Sequence, residues 1–273
     1  MKITLDISKS PEENASACFE KAKKARKKIQ GAEEAVEKLK KKLAAEEKKL
    51  RKAEEKIIQD EKKPEQRKKE WYEKFRWFYS SEGFLVIGGR DSTTNEVIIK
   101  KHTDRNDIVF HTDMAGSPFF VIKNPDNGEI GEQTMKEAAD AVCTYSKAWK
   151  LGLGTSKVFW VRPEQVSKET ESGEYMAKGS FMIRGKTNYV PAQVNLSVGL
   201  MEDGRVMGGP LSAVRAHCSR HVELSQGNEK TAAVAKKVKA GLSKADEQAG
   251  KSIEIDLDDI IKVIPAGGAK AIK

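Results

Sequence analysis

Cysteine is scarce in this chain. Three residues among 273, Cys18, Cys143 and Cys218, lie far apart and form no Cys-x-x-Cys pair. An odd, scattered set excludes a disulfide scaffold and a zinc ribbon and fits a reducing compartment. Long apolar runs are missing too, so no bilayer-spanning helix is expected. Asp6, Glu12 and Glu13 interrupt any apolar core near the start, which excludes a signal-peptide pattern there. The expected location is cytoplasmic, with no membrane partner. Aromatic residues amount to only 7%, whereas charged residues make up 33% with a net charge of +9.

The charge is unevenly placed. Residues 1–70 carry 22 Lys and Arg against 15 Asp and Glu; residues 71–200 carry 16 of each; residues 201–273 carry 12 against 10. The excess therefore sits in the N-terminal third, where an anionic partner such as nucleic acid is the natural expectation.

That third reads as one long helix. Apolar residues recur with heptad spacing, at position a in Ala22, Ile29, Val36, Leu43, Leu50 and Ile57, and at d in Ala25, Ala32, Leu39 and Ala53, with Glu46 as the misfit. Ser10-Pro11-Glu12-Glu13 is a start signal: Ser10 caps, Pro11 takes the first helical position and Glu13 closes a capping box. Pro64 is expected to stop the helix. A single seam cannot bury itself, so the pattern demands a partner helix, from a second copy (a homodimer) or from another chain.

From about residue 70 the period changes. Strand-like runs are expected at Phe84–Ile87, Glu96–Lys101, Ile108–Thr112, Phe119–Ile122, Lys157–Arg162, Ser180–Arg184 and Asn188–Val190. Turn chemistry at Gly88-Gly89, Asp104–Asp107 and Asn127-Gly128 separates the first of them. One amphipathic helix intervenes, started by a Thr134/Glu137 capping box, with Met135, Ala138, Ala139, Val142 and Cys143 on its apolar face and an end near Gly152. After Met201 the signals weaken to a short basic helix over Asn228–Leu242 and to two segments, Ser252–Ile255 and Ile260–Ile264, that read as strands or a helix edge. The fold class is α+β, a mixed strand/helix domain behind a long N-terminal coiled-coil helix. The expected divisions are a coiled-coil arm over 1–69, a globular domain over 70–200 and a C-terminal extension over 201–273.

Several candidate sites compete. Lys21, Lys23, Lys24, Arg26, Lys27 and Lys28 crowd two helical turns at about 0.2–0.5 kcal/mol of repulsion per close pair. A phosphate backbone would relieve that, and so would a solvated face. Trp71, Phe75 and Phe78 fall at helical spacing and are read as core rather than as base-stacking platforms. Gly152-Leu153-Gly154-Thr155-Ser156-Lys157 lacks the Gly-Lys-Ser/Thr order of a phosphate loop and follows a helix instead of a strand. His217, Cys218 and His221 lack further ligands nearby, so no metal or cofactor is expected.

One run of words carries a resemblance. Glu70–Ser81 (Glu-Trp-Tyr-Glu-Lys-Phe-Arg-Trp-Phe-Tyr-Ser-Ser) leads to Phe84-Leu85-Val86-Ile87-Gly88-Gly89-Arg90-Asp91. Asp107-Ile108-Val109-Phe110-His111-Thr112-Asp113 and Gly116-Ser117-Pro118 follow. Gln165-Val166-Ser167-Lys168, Gly173-Glu174-Tyr175 and Gly179–Lys186 complete the set. In order and spacing this resembles the RNA-binding NFACT-R domain of the NFACT family of ribosome-associated quality-control factors, densely over 70–200. Leu5–Ser10 with Asn14-Ala15 is similar to the return helix of that family's central coiled coil. Two departures stand out. No counterpart of the family's N-terminal NFACT-N domain is present, so tRNA-dependent tailing of stalled nascent chains does not carry over. Where members often have a second histidine, this chain reads His111-Thr112-Asp113-Met114-Ala115-Gly116.

The resemblance implies a non-enzymatic factor that binds RNA, as tRNA or ribosomal RNA, and the large ribosomal subunit during rescue of stalled translation. Its coil would pair with a second copy or with a separate NFACT-N-containing chain. The expected RNA contacts are Lys23, Lys24, Lys27, Lys28, Arg90, Asp91, His111, Asp113, Lys168, Arg184 and Lys186. His111 and Asp113 lie two apart on a strand and so share a face, where Asp113 could orient the imidazole, with Ser117 a speculative nucleophile. One alternative is accordingly an RNA-processing or RNA-modifying protein. Another is a coiled-coil adaptor without RNA affinity. Asp91 has a competing reading, as half of an ion pair that holds the turn.

Overall fold

The computed structural model describes residues 4–61, 69–169, 177–243 and 255–272, with side chains of the first stretch given through Arg51. The Pro64 stop, the Gly173-Glu174-Tyr175 motif and most of the Ser252–Ile255 segment lie outside them, as do the side chains at the seam positions Ala53 and Ile57. The chain divides into two compact units, 1–68 and 69–273.

The first unit is built on α1 (Pro11–Glu61). Its capping box forms as read: the Glu13 N–H donates to Ser10 Oγ at 3.2 Å and the Ser10 N–H donates to Glu13 Oε2 at 2.9 Å. Asn14 adds a clasp, its Nδ2 donating to the carbonyls of Asp6, Lys9 and Ser10. The capping box satisfies a donor that a helix start leaves open, and Asn14 ties the preceding turn to the helix. The seam side chains Ile29, Val36, Leu39, Leu43 and Leu50 are all exposed.

The second unit starts with a 3₁₀ turn at Trp71–Lys74 and then β1 (Arg76–Tyr79), so Trp71, Phe75 and Phe78 are not successive turns of one helix. The extended backbone of Phe75 ends the turn, and Phe75, Trp77 and Phe78 are buried in the core. β2 (Leu85–Gly88) pairs antiparallel with β1, Arg76 opposite Gly88. Then comes α2 (Ser92–Lys101), where a strand was expected over Glu96–Lys101. Val97, Ile98 and Ile99 are β-branched and read as strand. The N-terminal cap overrides them: Asp91 Oδ1 accepts from the Thr94 N–H at 2.8 Å, and Thr94 Oγ1 lies 2.9 Å from the Asp91 N–H.

β3 (Ile108–Thr112) and β4 (Phe120–Ile122) lead to α3 (Glu132–Tyr145), α4 (Lys147–Leu151) and β5 (Thr155–Val161). The expected single helix is thus broken at Ser146, whose Oγ donates to the Cys143 carbonyl at 2.7 Å and accepts from the Ala148 N–H at 3.1 Å. The expected Thr134/Glu137 box is absent as well. The helix start is Gly131, which has no side chain, and Glu82 fills the role: its Oε2 accepts from the Thr134 N–H at 3.0 Å. Glu137 instead accepts from the Ser81 N–H and from Ser212 Oγ.

Short strands β6 (Val166–Ser167) and β7 (Met182–Ile183) pair with each other. β8 (Asn188–Gln193) completes a six-stranded antiparallel sheet of order β1-β2-β4-β3-β5-β8. α3 packs on this sheet, with Ala138, Ala139, Val142 and Cys143 fully buried beside Val109, Phe110 and Val158. β9 (Leu196–Leu200), β10 (Val206–Gly209), α5 (Leu211–His217), β11 (Arg220–Glu229), α6 (Thr231–Ser243), α7 (Leu257–Val263) and β12 (Ala269–Ala271) follow. Their strands form a second sheet of order β10-β9-β11-β12 with its own core around Val198, Val234, Val238 and Ile260. β9, on one side of residue 201, pairs with β10 and β11 on the other. The open choice over Ile260–Ile264 resolves as helix α7, started by the Asp256 cap.

Candidate nucleic-acid interface

Several chain segments converge on one cleft of about 530 Å³. Its lining comes from the start of β1, the turn into α2, the end of β3 and the loop after it, the Ser146 break, the loop around Gly179, and Pro265-Ala266. Gly179 is required there. Its φ is +80°, and a Cβ would lie 2.6 Å from the Ser92 backbone, so only glycine lets this loop close over the start of α2.

The lining is cationic. Arg76, Arg90, Lys147, Lys150 and Lys178 face one carboxylate, Asp91, whose Oδ1 accepts from both the N–H and the Oγ1 of Thr94. Hydrogen bonds from Thr94 hold the Asp91 carboxyl below the usual carboxylate range despite partial burial. Arg76 is the innermost cation. Its Nη1 donates to the Gly89 carbonyl, and its guanidinium stands 4.5 Å over the Tyr145 ring. Burial lowers its pKa below the ordinary arginine value; the nearby Arg90 charge adds to this, and Tyr145 and Asp91 oppose it.

His111 lies on the same wall, stacked on Phe119 with ring centroids 4.1 Å apart, and its Nε2 meets the Ser117 carbonyl at 3.1 Å. Burial lowers its pKa, opposed by hydrogen bonding to Ser117 and Thr112. The expected His111–Asp113 hydrogen bond is not made. Asp113 lies just past β3 and accepts from the Tyr189 hydroxyl at 3.2 Å. Ser117 Oγ is buried against Thr112 Oγ1 at 2.7 Å, so His111, Asp113 and Ser117 do not form a nucleophile–base–orienter array.

The remaining candidates are dispersed. Lys168 stands 5.0 Å over Phe181, with Glu96 Oε2 at 3.6 Å, behind the aromatic wall of the cleft. Arg184 is exposed and reaches Glu169, and Lys186 is exposed; Gln165 Nε2 holds both of their carbonyls at 2.9 Å. Lys23, Lys24, Lys27 and Lys28 are exposed on α1 without an ion-pair partner among the described residues. The cleft thus unites Arg90, Asp91 and His111, and adds Arg76, Lys147, Lys150 and Lys178, which sequence reading missed. Arg76 stood inside the word Lys74-Phe75-Arg76-Trp77 and was passed over among aromatics. The lysines carry no local signal.

The two decoys resolve into ordinary contacts. His217 Nε2 meets the Ser80 carbonyl at 2.7 Å, while His221 Nε2 accepts from Arg215 Nε at 3.3 Å. Gly152 is a left-handed helix end with φ 72°.

Residues 74–185 match the family profile described as the NFACT protein RNA binding domain. The chain is 42% identical over 212 residues to the archaeal Rqc2 homolog aRqcH of Methanocaldococcus jannaschii, covering 76% of this chain and 30% of that protein. It is 48% identical over 125 residues to the human ribosome quality control complex subunit NEMF, covering 46% of this chain and 12% of that protein. The Drosophila melanogaster NEMF homolog is 46% identical over 134 residues, or 49% of this chain and 13% of that protein. The chain therefore spans less than a third of the length of these relatives.

Proposed function

With residues 74–185 belonging to the NFACT RNA-binding domain family, we propose that the chain is an RNA-binding factor of ribosome-associated quality control. It binds the large ribosomal subunit, tRNA or both by charge and shape, and it is not itself an enzyme. The observation that carries this reading is the cleft. All five of its cations fall inside the matched segment, and its one carboxylate is committed to a helix cap. Such an imbalance favours phosphate, and phosphate contacts position a complex without reading its sequence.

Arg90 and His111 contribute from the cleft. Asp91 acts through the backbone it fixes. Lys168, Arg184 and Lys186 extend the cationic surface of the same unit, and Lys23, Lys24, Lys27 and Lys28 supply a second basic surface on α1. Asp113 positions Tyr189 at the edge of β8. An RNA-processing activity built on His111 gains no support, because its imidazole is tied to a backbone carbonyl. The exposed seam of α1 pairs with a second helix, from another copy or from an NFACT-N-containing chain; a monomeric mass by light scattering would remove the first version.

Co-sedimentation with ribosomal subunits across a salt series tests the main reading. Migration with the large subunit should weaken as salt rises, by about 0.7–0.9 in log–log slope per phosphate contact. A chain that stays at the top of the gradient at low salt would overturn it. Charge reversal at Lys23, Lys24, Lys27 and Lys28 with no change in association would assign binding to the globular unit alone.

A further inference from the structure

Arg76 presents an unsolved electrostatic problem. No carboxylate lies within ion-pair distance of it among the described residues, and its Nε is closed off from solvent without a hydrogen-bond partner. A guanidinium withdrawn from water is costly unless an anion compensates it. The groups at hand do not. Tyr145 faces it at 4.5 Å, but the hydroxyl donates to the Val263 carbonyl at 2.8 Å, and burial pushes the phenol up to about 12, so the ring stays neutral. Asp91 attracts it without reaching ion-pair distance, its Oδ1 being engaged by Thr94. The cations Arg90, Lys147, Lys150 and Lys178 add to the positive excess in the cleft; on its other side Arg76 shares a small cavity with Lys262, with Glu73, which accepts from the Glu70 N–H, and with Asp259, whose Oδ1 is paired with Lys69 and Lys262.

We propose that the cleft is a pocket for one nucleotide of an RNA, whose phosphate docks against Arg76 and completes its missing ion pair. The volume, about 530 Å³, is within the range of small-ligand sites and admits a nucleotide with its first hydration. The planar guanidinium suits two phosphate oxygens at once, and the lysines at the rim act as point charges. Phe181, Ile183 and Pro265 give the nucleoside an apolar wall. Asn95 and Ser92 lie at the start of α2, the positive end of that helix's dipole. The phosphate is either a terminal monoester or an internal diester. The RNA-binding reading above supplies the identity of the ligand, while the demand for an anion stands on the geometry of Arg76.

Calorimetric titration of the full chain with inorganic phosphate, a nucleoside 5′-monophosphate and the unphosphorylated nucleoside tests it. Both phosphate probes should bind saturably and the nucleoside should not. The Arg76→Gln variant should weaken the monophosphate roughly tenfold or more. Should that variant fail to fold by circular dichroism, Arg90→Gln and the exposed double variant Lys147→Gln/Lys150→Gln take its place, each expected to weaken binding several-fold. Short RNAs with a 5′-phosphate, a 3′-phosphate or neither end phosphorylated, competed with the monophosphate, separate terminal from internal phosphate. The proposal is overturned if neither phosphate probe binds, or if affinity is unchanged in the folded variants. Salt-dependent RNA binding that the monophosphate does not displace would sink the pocket and leave the RNA-binding reading in place. Saturable phosphate binding with no ribosome association would do the reverse.

Discussion

At the residue scale, two buried polar arrangements govern how this protein responds to its surroundings. His111 is stacked on Phe119 and has its pKa depressed below the ordinary 6.5 by burial; His102, stacked on Trp71, is depressed for the same first reason. A folded-state pKa below the unfolded one means that the unfolded chain binds protons more readily as pH falls. Stability is therefore complete above about pH 6.5 and is lost progressively below it. Thermal melts from pH 7.5 to 5 should show a falling midpoint, and His111→Gln should flatten part of that slope; an unchanged slope would move the effect to other groups. The second arrangement is the pair Lys123–Asp107, in which Asp107 is fully buried and also accepts from the Asn124 N–H at 2.8 Å and the Asp104 N–H at 2.8 Å. Lys123 additionally donates to the His102 carbonyl at 2.9 Å. Removing the cation leaves an uncompensated buried carboxylate, so Lys123→Met is expected to cost about 3–5 kcal/mol in denaturant unfolding.

At the scale of elements, helix ends decide more than helix interiors. α2 exists against the β-branched character of Val97, Ile98 and Ile99 because Asp91 and Thr94 close its first turn. α3 starts where it does because a glutamate from the β1–β2 turn reaches across the fold to its backbone. Glu82→Ala should therefore destabilise the protein by about 1 kcal/mol, through the lost cap and the lost charge at the positive end of the helix. Amide exchange would register this first at Thr134 and Met135, and uniform acceleration across the unit would argue against a local cap. The break between α3 and α4 has a consequence for the site, since it turns Tyr145, Ser146 and Lys147 into the cleft that an unbroken helix would leave bare.

At the scale of the whole molecule, residues 69–273 form one compact unit. β9 is shared between strands on both sides of residue 201, and Gly209 of β10 packs so closely on Phe78 of β1 that a Cβ there would lie 2.9 Å from the ring. A chain ending at residue 200 would leave β9 without either neighbour and expose Phe78, Val198 and Leu200. We expect it to lose cooperative unfolding, while residues 69–273 alone retain it. A sharp transition in the shorter chain would separate the two sheets energetically. Among the described residues, no helix is long and apolar enough to cross a membrane.

Much of this was written in local chemistry. Heptad spacing declared α1, the Ser10/Glu13 box placed its start, and alternating apolar runs placed β2, β3 and β5, because each depends on contacts a few residues apart. The words that carried the resemblance marked the same stretch that the family profile matches. The partnerships of single side chains were beyond reach. Sequence spacing placed His111 and Asp113 on one face and left the imidazole for Asp113 to orient, whereas the loop after β3 delivers the Ser117 carbonyl to the ring and Tyr189 to the carboxylate. The cleft itself joins residues from 76 to 266. Its cations are brought together by strand order and a helix break, interactions between segments far apart in the chain, which no local pattern encodes. Tertiary structure alone put an unpaired arginine at the bottom of a cationic cleft, and electrostatics makes that arginine the place where an anion belongs.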